Sequence, residues 1–289
     1  MGKADAAVSA GLIAKGLRQL GLGKGEVVLV HSNLRALAPA RELVKLSNCG
    51  ADVVIDGFLE AVGPDGLVAV PTLTGTFAKS ESGPQSYAFD PAETPSRVGS
   101  VTNVFWRRPG AKRSKHPTHS LAAIGRRAEE FLADHEKGST FDMRSPYRRL
   151  YDWDGQICFF GTDMRTCTTL HAVEDWMDLP YMMEARALVK GPDGKPQEVT
   201  VTKSPGGARD FYRCNSKAKQ YLESKNFIRQ GKVASATVQL MSARQLVDYT
   251  WQGIIEDPCL LMQTDAKAND WSKQMCKATI KHVRERFGS

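Results

Sequence analysis

The sequence predicts an α/β fold, with helices packed on a sheet. Three observations support this. Helix-period stretches alternate with short apolar runs of strand length, and the runs are bounded by turns rich in Gly, Pro and Asp. A chain of 289 residues with 42% hydrophobic content can also bury a substantial core, as one large domain or two small ones.

The elements follow in order. "AAVSAGLIAKGLRQLG" sets Val8, Leu12, Ile13, Leu17 and Leu20 at helical spacing, with Gly21 placed to end the helix. "EVVLVH" at 26–31 reads as a buried strand, "ADVVIDGFLEAVG" as an amphipathic helix, and "LVAVP" at 67–71 as a strand after the turn "GPDG". Residues 74–96 lack periodicity and are rich in Gly, Ser and Pro, which predicts a long surface loop. A helix near 98–107, a strand near 120–124, a helix over "RRAEEFLAD" and the strand "QICFFG" come next. Residues 181–202 read as a hairpin around "GPDGKP". After a polar span at 203–230 come the strand "ASATVQLMS", a helix from about Ser242 and a terminal basic helix at 271–286. With no repeat or linker, the expectation is a single domain over 1–289 with a smaller lobe near 181–235.

Composition narrows the function. No apolar run reaches the roughly 20 residues that cross a bilayer, and the N-terminus lacks signal-peptide order, so the chain is expected to be soluble and cytoplasmic. Cys49, Cys158, Cys167, Cys214, Cys259 and Cys276 lie apart without a CxxC pair, which predicts free thiols rather than a disulfide framework or a structural zinc site. The formal charge of +7 is uneven: Arg97 to His119 holds six Lys or Arg and no acid, the composition of a polyanion site or of a solvated loop. No zinc-finger, RNP or basic-zipper pattern accompanies it, so no nucleic-acid partner is expected.

Several stretches could carry chemistry. In "TCTTLHAVED", Thr168 or Thr169 suits a helix N-cap, and His171 and Glu174 then share a face at i, i+3. A carboxylate beside an imidazole fixes its tautomer and raises its basicity, which makes a general base; an exposed pair on a helix start is the alternative. "SKHPTHS" supplies His116 and His119, which with His171 could ligate a metal. "VLVHSNLRAL" ends a strand with His31 and Ser32, where ligands gather in open α/β sheets. Cys167, four residues before His171, is a candidate nucleophile without an evident third member. Neither "GPDG" nor "GLGKGE" has phosphate-loop spacing.

Taken together, "VHSNLR", "SKHPTHS" and "TTLHAVE", with "SPYRRLYDWDGQICFFGTDMRT" between them and "GKVASATVQLMSARQLVDY" beyond, resemble the aminoglycoside 3-N-acetyltransferase family over about 8–260. The resemblance implies a three-layer α/β/α sandwich around a mixed β-sheet, and acetyl transfer from acetyl-CoA, as co-substrate, to an amine by direct attack, with no metal. Its TxxHxxE motif falls on His171, the implied base, and Glu174, its orienter. His31 is implied as a catalytic residue at the strand end, lining the donor site with Ser32, Asn33, Leu34 and Arg35. The RSxHPxxS motif falls on Arg113, Ser114, His116 and Ser120, implied to bind CoA. On the acceptor side the expected residues are Asp90, Glu174, Asp175, Arg209 and Arg213. Lys203, Arg209, Arg213, Lys217 and Lys219 make the acceptor lobe basic, which disfavours a highly cationic acceptor. The acceptor is therefore expected to be an aminoglycoside or another amino metabolite, an anionic biosynthetic intermediate included, with no membrane partner and a monomeric or homodimeric state. A metal-assisted hydrolase using His116, His119 and His171, and a non-catalytic CoA-binding protein, stand as the alternatives.

Overall fold

The apolar runs become strands of one sheet. The computed structural model of the chain describes residues 8–37, 45–80, 83–84, 87–203, 216–265 and 268–288. Helix α1 (Ala10–Gln19) is capped by Ser9, whose hydroxyl accepts from Leu12 N, and leads to β1 (Val27–Ser32). Helix α2 (Ala51–Val62) then precedes β2 (Leu67–Pro71). The expected loop contains, among its described residues, the two-residue strands β3 (Lys79–Ser80) and β4 (Gly83–Pro84). Next come α3 (Ser100–Phe105), β5 (Lys112–Arg113), β6 (Leu121–Gly125), α4 (Ala128–Leu132), α5 (Pro146–Asp152) and β7 (Gln156–Phe160). Beyond these lie α6 (Leu170–Trp176), β8 (Met183–Lys190), β9 (Pro196–Lys203), α7 (Lys217–Ser224), β10 (Arg229–Val233), β11 (Ala236–Ser242), α8 (Ala243–Glu256) and α9 (Asp270–Phe287).

Among the described residues the main sheet has seven strands in the order β10-β11-β7-β1-β2-β6-β5. It is mixed: β1 runs parallel to β2 and β7, while β6 and β11 are antiparallel to their neighbours. Period-two alternation sorts the side chains to its faces. Val28, Val30, Val68, Cys158 and Phe160 face α1, α2 and α3, where Ile13, Leu17, Val54, Phe58 and Phe105 are buried. Leu29, Leu121, Ile157, Phe159 and Met241 face the other helix layer, with Phe131, Tyr147, Leu150, Val173 and Leu246. The result is three layers, α/β/α. Gly57 lets α2 approach α1 closely, because a Cβ there would lie 2.6 Å from Ile13.

Within 181–235, β8 and β9 form their own hairpin, whereas β10 pairs with β11 over five residues as the margin of the main sheet, and α7 packs on α8. A strand of that position satisfies the backbone groups that β11 would otherwise leave unpaired. The hairpin is also sewn to the long loop, since Ala78 N donates to Arg186 O and Phe89 N to Leu188 O at 2.7 and 2.8 Å. Cys259 and Cys276, expected as free thiols, form a disulfide with Cα atoms 5.4 Å apart, because the chain returns along α9 to meet the end of α8. Cys49, Cys158 and Cys167 are free, and Cys214 lies outside the described residues.

Candidate active site

Strand order locates the crevice. From β1 the chain crosses through α2 to β2 on one side, and β7 later joins β1 in parallel on the other, so the carboxyl ends of β1 and β7 flank a topological switch point. His31 pairs in register with Phe159 and stacks on it at 5.2 Å, so its ring lies on the face that carries α6. Gly161 follows β7 with φ +69°, and a Cβ there would lie 2.6 Å from Asn33 O. Only glycine lets the two strand ends come this close. From that turn the chain runs through a short 3-10 helix, Met164–Thr166, into α6.

Thr169 occupies the N-cap position of α6, although its side chain makes no capping bond. The helix buries Leu170, Ala172 and Val173 in the core and carries His171 and Glu174 with them. His171 Nδ1 lies 2.8 Å from Glu174 Oε2, and Glu174 has no exposed surface. A carboxylate only accepts, so Nδ1–H donates and the basic lone pair belongs to Nε2. The other carboxylate oxygen, Oε1, accepts from Tyr181 OH at 3.0 Å. Tyr181 returns to the helix because Leu179 N closes on Glu174 O at 3.1 Å and Met182 N on Leu179 O at 2.9 Å. Phe141 walls the imidazole, its ring centroid 6.0 Å away. Asp175, at i+4 from His171, accepts from Ser139 at 2.9 Å. Burial first, then Asp142, Asp178 and Glu174, push its carboxyl above the usual range. It has no cationic partner among the described residues.

The other expected residues divide by what their polar atoms already do. His31 is buried with Nε2 unpartnered, and burial lowers it to about 4, so it is neutral at the strand end. Asn33 and Arg35 are exposed beside it, Ser32 is half-buried and Leu34 is buried, with Asn33 Oδ1 accepting from Arg35 N at 3.2 Å.

Arg113, Ser114 and Ser120, expected to bind CoA, make hydrogen bonds inside the protein. The Arg113 guanidinium donates to Thr94 O at 2.6 Å, Thr72 O at 3.2 Å, Pro91 O at 3.4 Å and the hydroxyls of Thr72 and Ser120, fastening the 90–95 segment to the sheet. Ser114 Oγ accepts from Leu121 N and meets His135 Nδ1, both at 2.9 Å, and Ser120 Oγ donates to Thr72 O at 2.9 Å.

His116 stacks on His135 at 4.7 Å, and its Nδ1 accepts from His119 N at 3.1 Å. It sits on the wall of a cavity of about 380 Å³ that the hairpin closes with Val189, Val199 and Val201. Burial above all drives His116 well down, and takes His119 to about 3 and His135 to about 4. Among the described residues no group of three His, Cys, Asp or Glu is placed to hold a metal ion. Burial likewise pushes the Cys167 thiol up to about 12, the opposite of an activated nucleophile.

Asp90 is held by Lys190 at 2.8 Å, and that hydrogen bond holds its carboxyl below the usual range; it pins the loop to the hairpin. Arg209 and Arg213 lie outside the described residues. The sequence did not point to Tyr181, Phe141 or His135. "DLPY" offers a turn with an aromatic at its end, and nothing more specific than that.

The model of one protein family, described as aminoglycoside 3-N-acetyltransferase, matches residues 29–253. Aminoglycoside N(3)-acetyltransferase IV of Salmonella sp is 29% identical over 248 residues, covering 85% of this chain and 87% of the relative. The crystal structure of a mutant of aminoglycoside acetyltransferase AAC(3)-IVa in complex with gentamicin superposes with a TM-score of 0.78 at 26% identity, over 96% of this chain and 98% of that one. AAC-IIIb in a binary complex with CoASH shares the fold, with a TM-score of 0.74 at 22% identity over 89% and 98%.

Proposed function

The chain belongs to the aminoglycoside 3-N-acetyltransferase family and is an acyltransferase; from that premise we propose that it acetylates an amine of a polycationic, aminoglycoside-like acceptor from acetyl-CoA, with His171 as general base. One observation carries the reading: an imidazole hydrogen-bonded at 2.8 Å to a fully buried carboxylate, beside the carboxyl ends of parallel strands. Such a base is worth about 10²–10⁴ in rate, and alignment of the two reactants supplies much of the rest.

In this mechanism the acceptor reacts as the free amine: its nitrogen lone pair attacks the thioester carbonyl, and His171 Nε2 takes the proton that the nitrogen loses as it is acylated. The C–N bond forms, the C–S bond breaks, and the thiolate leaves with a proton that His171 can return. Glu174 stabilises the imidazolium while it lasts. The crevice at the end of β1 suits acetyl-CoA: His31 Nε2, without a hydrogen-bond partner among the described residues, offers a hydrogen-bonding atom, and Asn33 and Arg35 offer exposed polar groups, one of them a cation. Arg113, Ser114 and Ser120 act one step back, by holding the walls.

The acceptor's charge follows from the acids around the base. Glu174 and Asp175 lie on the face of α6 that carries His171, and Asp142 acts on Asp175. The basic residues of α7 are already neutralised, Lys217 by Asp257 at 2.7 Å and Lys219 by Glu223 at 2.6 Å. This supports a cationic acceptor over an anionic one. Thiol release from acetyl-CoA, measured against aminoglycosides and against phosphorylated amino compounds, tests it. Turnover with the anionic panel alone would reverse the acceptor assignment, and no release with either would remove the enzymatic reading.

A further inference from the structure

We propose that Tyr181 is the positioning residue of the catalytic pair: its hydroxyl, donating to Glu174 Oε1 at 3.0 Å, keeps the buried carboxylate ionised and its other oxygen aimed at His171. The inference deepens the reading of His171 as base and rests on it. Glu174 has no exposed surface and Tyr181 is 4% exposed, so water reaches neither partner freely. An ionised carboxylate in such a place needs donors on both oxygens. His171 supplies one and Tyr181 the other.

The hydroxyl matters unequally to the two states of the pair. When His171 is neutral, the imidazole does not offset the charge of the carboxylate, and the Tyr181 donor stabilises it strongly. When His171 is protonated, the imidazolium already balances that charge, and the hydroxyl adds less. Removing the hydroxyl therefore favours the protonated pair and raises the pH at which the base becomes available. Among the described residues, the ionisable groups facing the pair include Asp175 on α6, Asp142 acting through it, and His119, whose ring lies against Phe141. His119 is buried and stays neutral over the working range.

The test is Tyr181→Phe, which removes one oxygen and leaves the ring in its packing. The expected result is a shift of the acid limb of kcat/KM to higher pH by about half a unit to one unit. A fall in kcat near neutrality of roughly fivefold to twentyfold should accompany it, with the KM for acetyl-CoA within about twofold. An NMR titration of the His171 ring in the substrate-free protein should show the same upward shift. If turnover is absent with every acceptor while the ring titration still moves, the acceptor assignment fails and Tyr181 stands. If the ring titration and the acid limb both superpose on wild type, Tyr181 only fills space and the proposal is overturned. Should the phenylalanine variant fold poorly, 3-fluorotyrosine at position 181, a stronger donor of nearly the same shape, should move the ring titration to lower pH; no movement, or movement upward, overturns the proposal.

Discussion

Replacing Glu174 with Gln removes one charge and almost no volume. In the protein the carboxylate accepts from His171 Nδ1 at 2.8 Å and from Tyr181 OH at 3.0 Å with no exposed surface. The glutamine carbonyl can keep the bond from Nδ1–H, and its amide can donate to the Tyr181 oxygen, so the pair should stay folded and in the same tautomer. What disappears is the negative charge that faces the imidazolium. Two unit charges about 4 Å apart at an effective dielectric of about 20 attract by about 4 kcal/mol, which is about three decades in rate if it is realised only as the imidazolium forms. Glu174→Gln should therefore lower kcat by about 10³ at saturating acceptor, with CoA affinity little changed. Thiol release gives kcat, and calorimetric titration with CoA gives the affinity. A kcat within about threefold of wild type would show that the carboxylate does not stabilise a charge on His171, and the base assignment would fall with it.

His171→Ala should abolish most turnover, by about 10²–10⁴, while CoA titrates as in wild type; near-wild-type rates would exclude His171 as the base. Arg113→Met strips five donated hydrogen bonds from the 90–95 segment and Thr72–Ser120, so it should cost about 3–5 kcal/mol and lower Tm by on the order of 10 °C, with CoA affinity within about threefold. Lost CoA affinity at unchanged Tm would return Arg113 to the phosphate site. Cys167→Ala should leave kcat within about twofold, whereas a trapped acetyl-enzyme would overturn direct transfer. His31 and His135 are lowered to about 4 and His119 to about 3, all by burial, so the folded state stays neutral where the unfolded chain takes up protons below about 6.5. Their contribution is complete above that pH and is lost as pH falls towards 4. Denaturant titrations should show stability dropping by up to about 4 kcal/mol per pH unit in that window, and a flat profile would mean the rings are not buried neutral.

Elements with a strong apolar period were legible in the sequence. "EVVLVH", "LVAVP" and "QICFF" have both faces buried, so the continuous apolar runs needed no alternation to be read as strands. "RQGKV" gave no such signal, because β10 is a margin strand with Arg229 and Gln230 exposed, and its place is set by pairing with β11 rather than by its own composition. The His171–Glu174 pair was readable because i, i+3 on a helix is a local relation. Tyr181 was not, since its bond to Glu174 depends on how the 177–182 turn folds back. The internal partners of Arg113 were not legible for a similar reason. Its acid-free surroundings suggest an anion, yet its partners are carbonyls of Thr72, Pro91 and Thr94, between 19 and 41 residues away, which only the fold assembles. The disulfide is of the same kind, since Cys259 and Cys276 are 17 positions apart in the sequence.

The two margins of the sheet bear on how copies of this chain can meet. At one margin β5 is two residues long, both cationic, and Lys112 is held by Glu129 at 2.8 Å. At the other, Arg229 folds across to Gly21 O and Gln156 Oε1, and Lys232, the penultimate residue of β10, is exposed. Neither presents the long, flat, apolar ladder on which a strand from a second molecule could grow. Edge-to-edge aggregation is thereby resisted even in a protein built around seven strands, and any self-association is directed to the outer surfaces of its helices and hairpin.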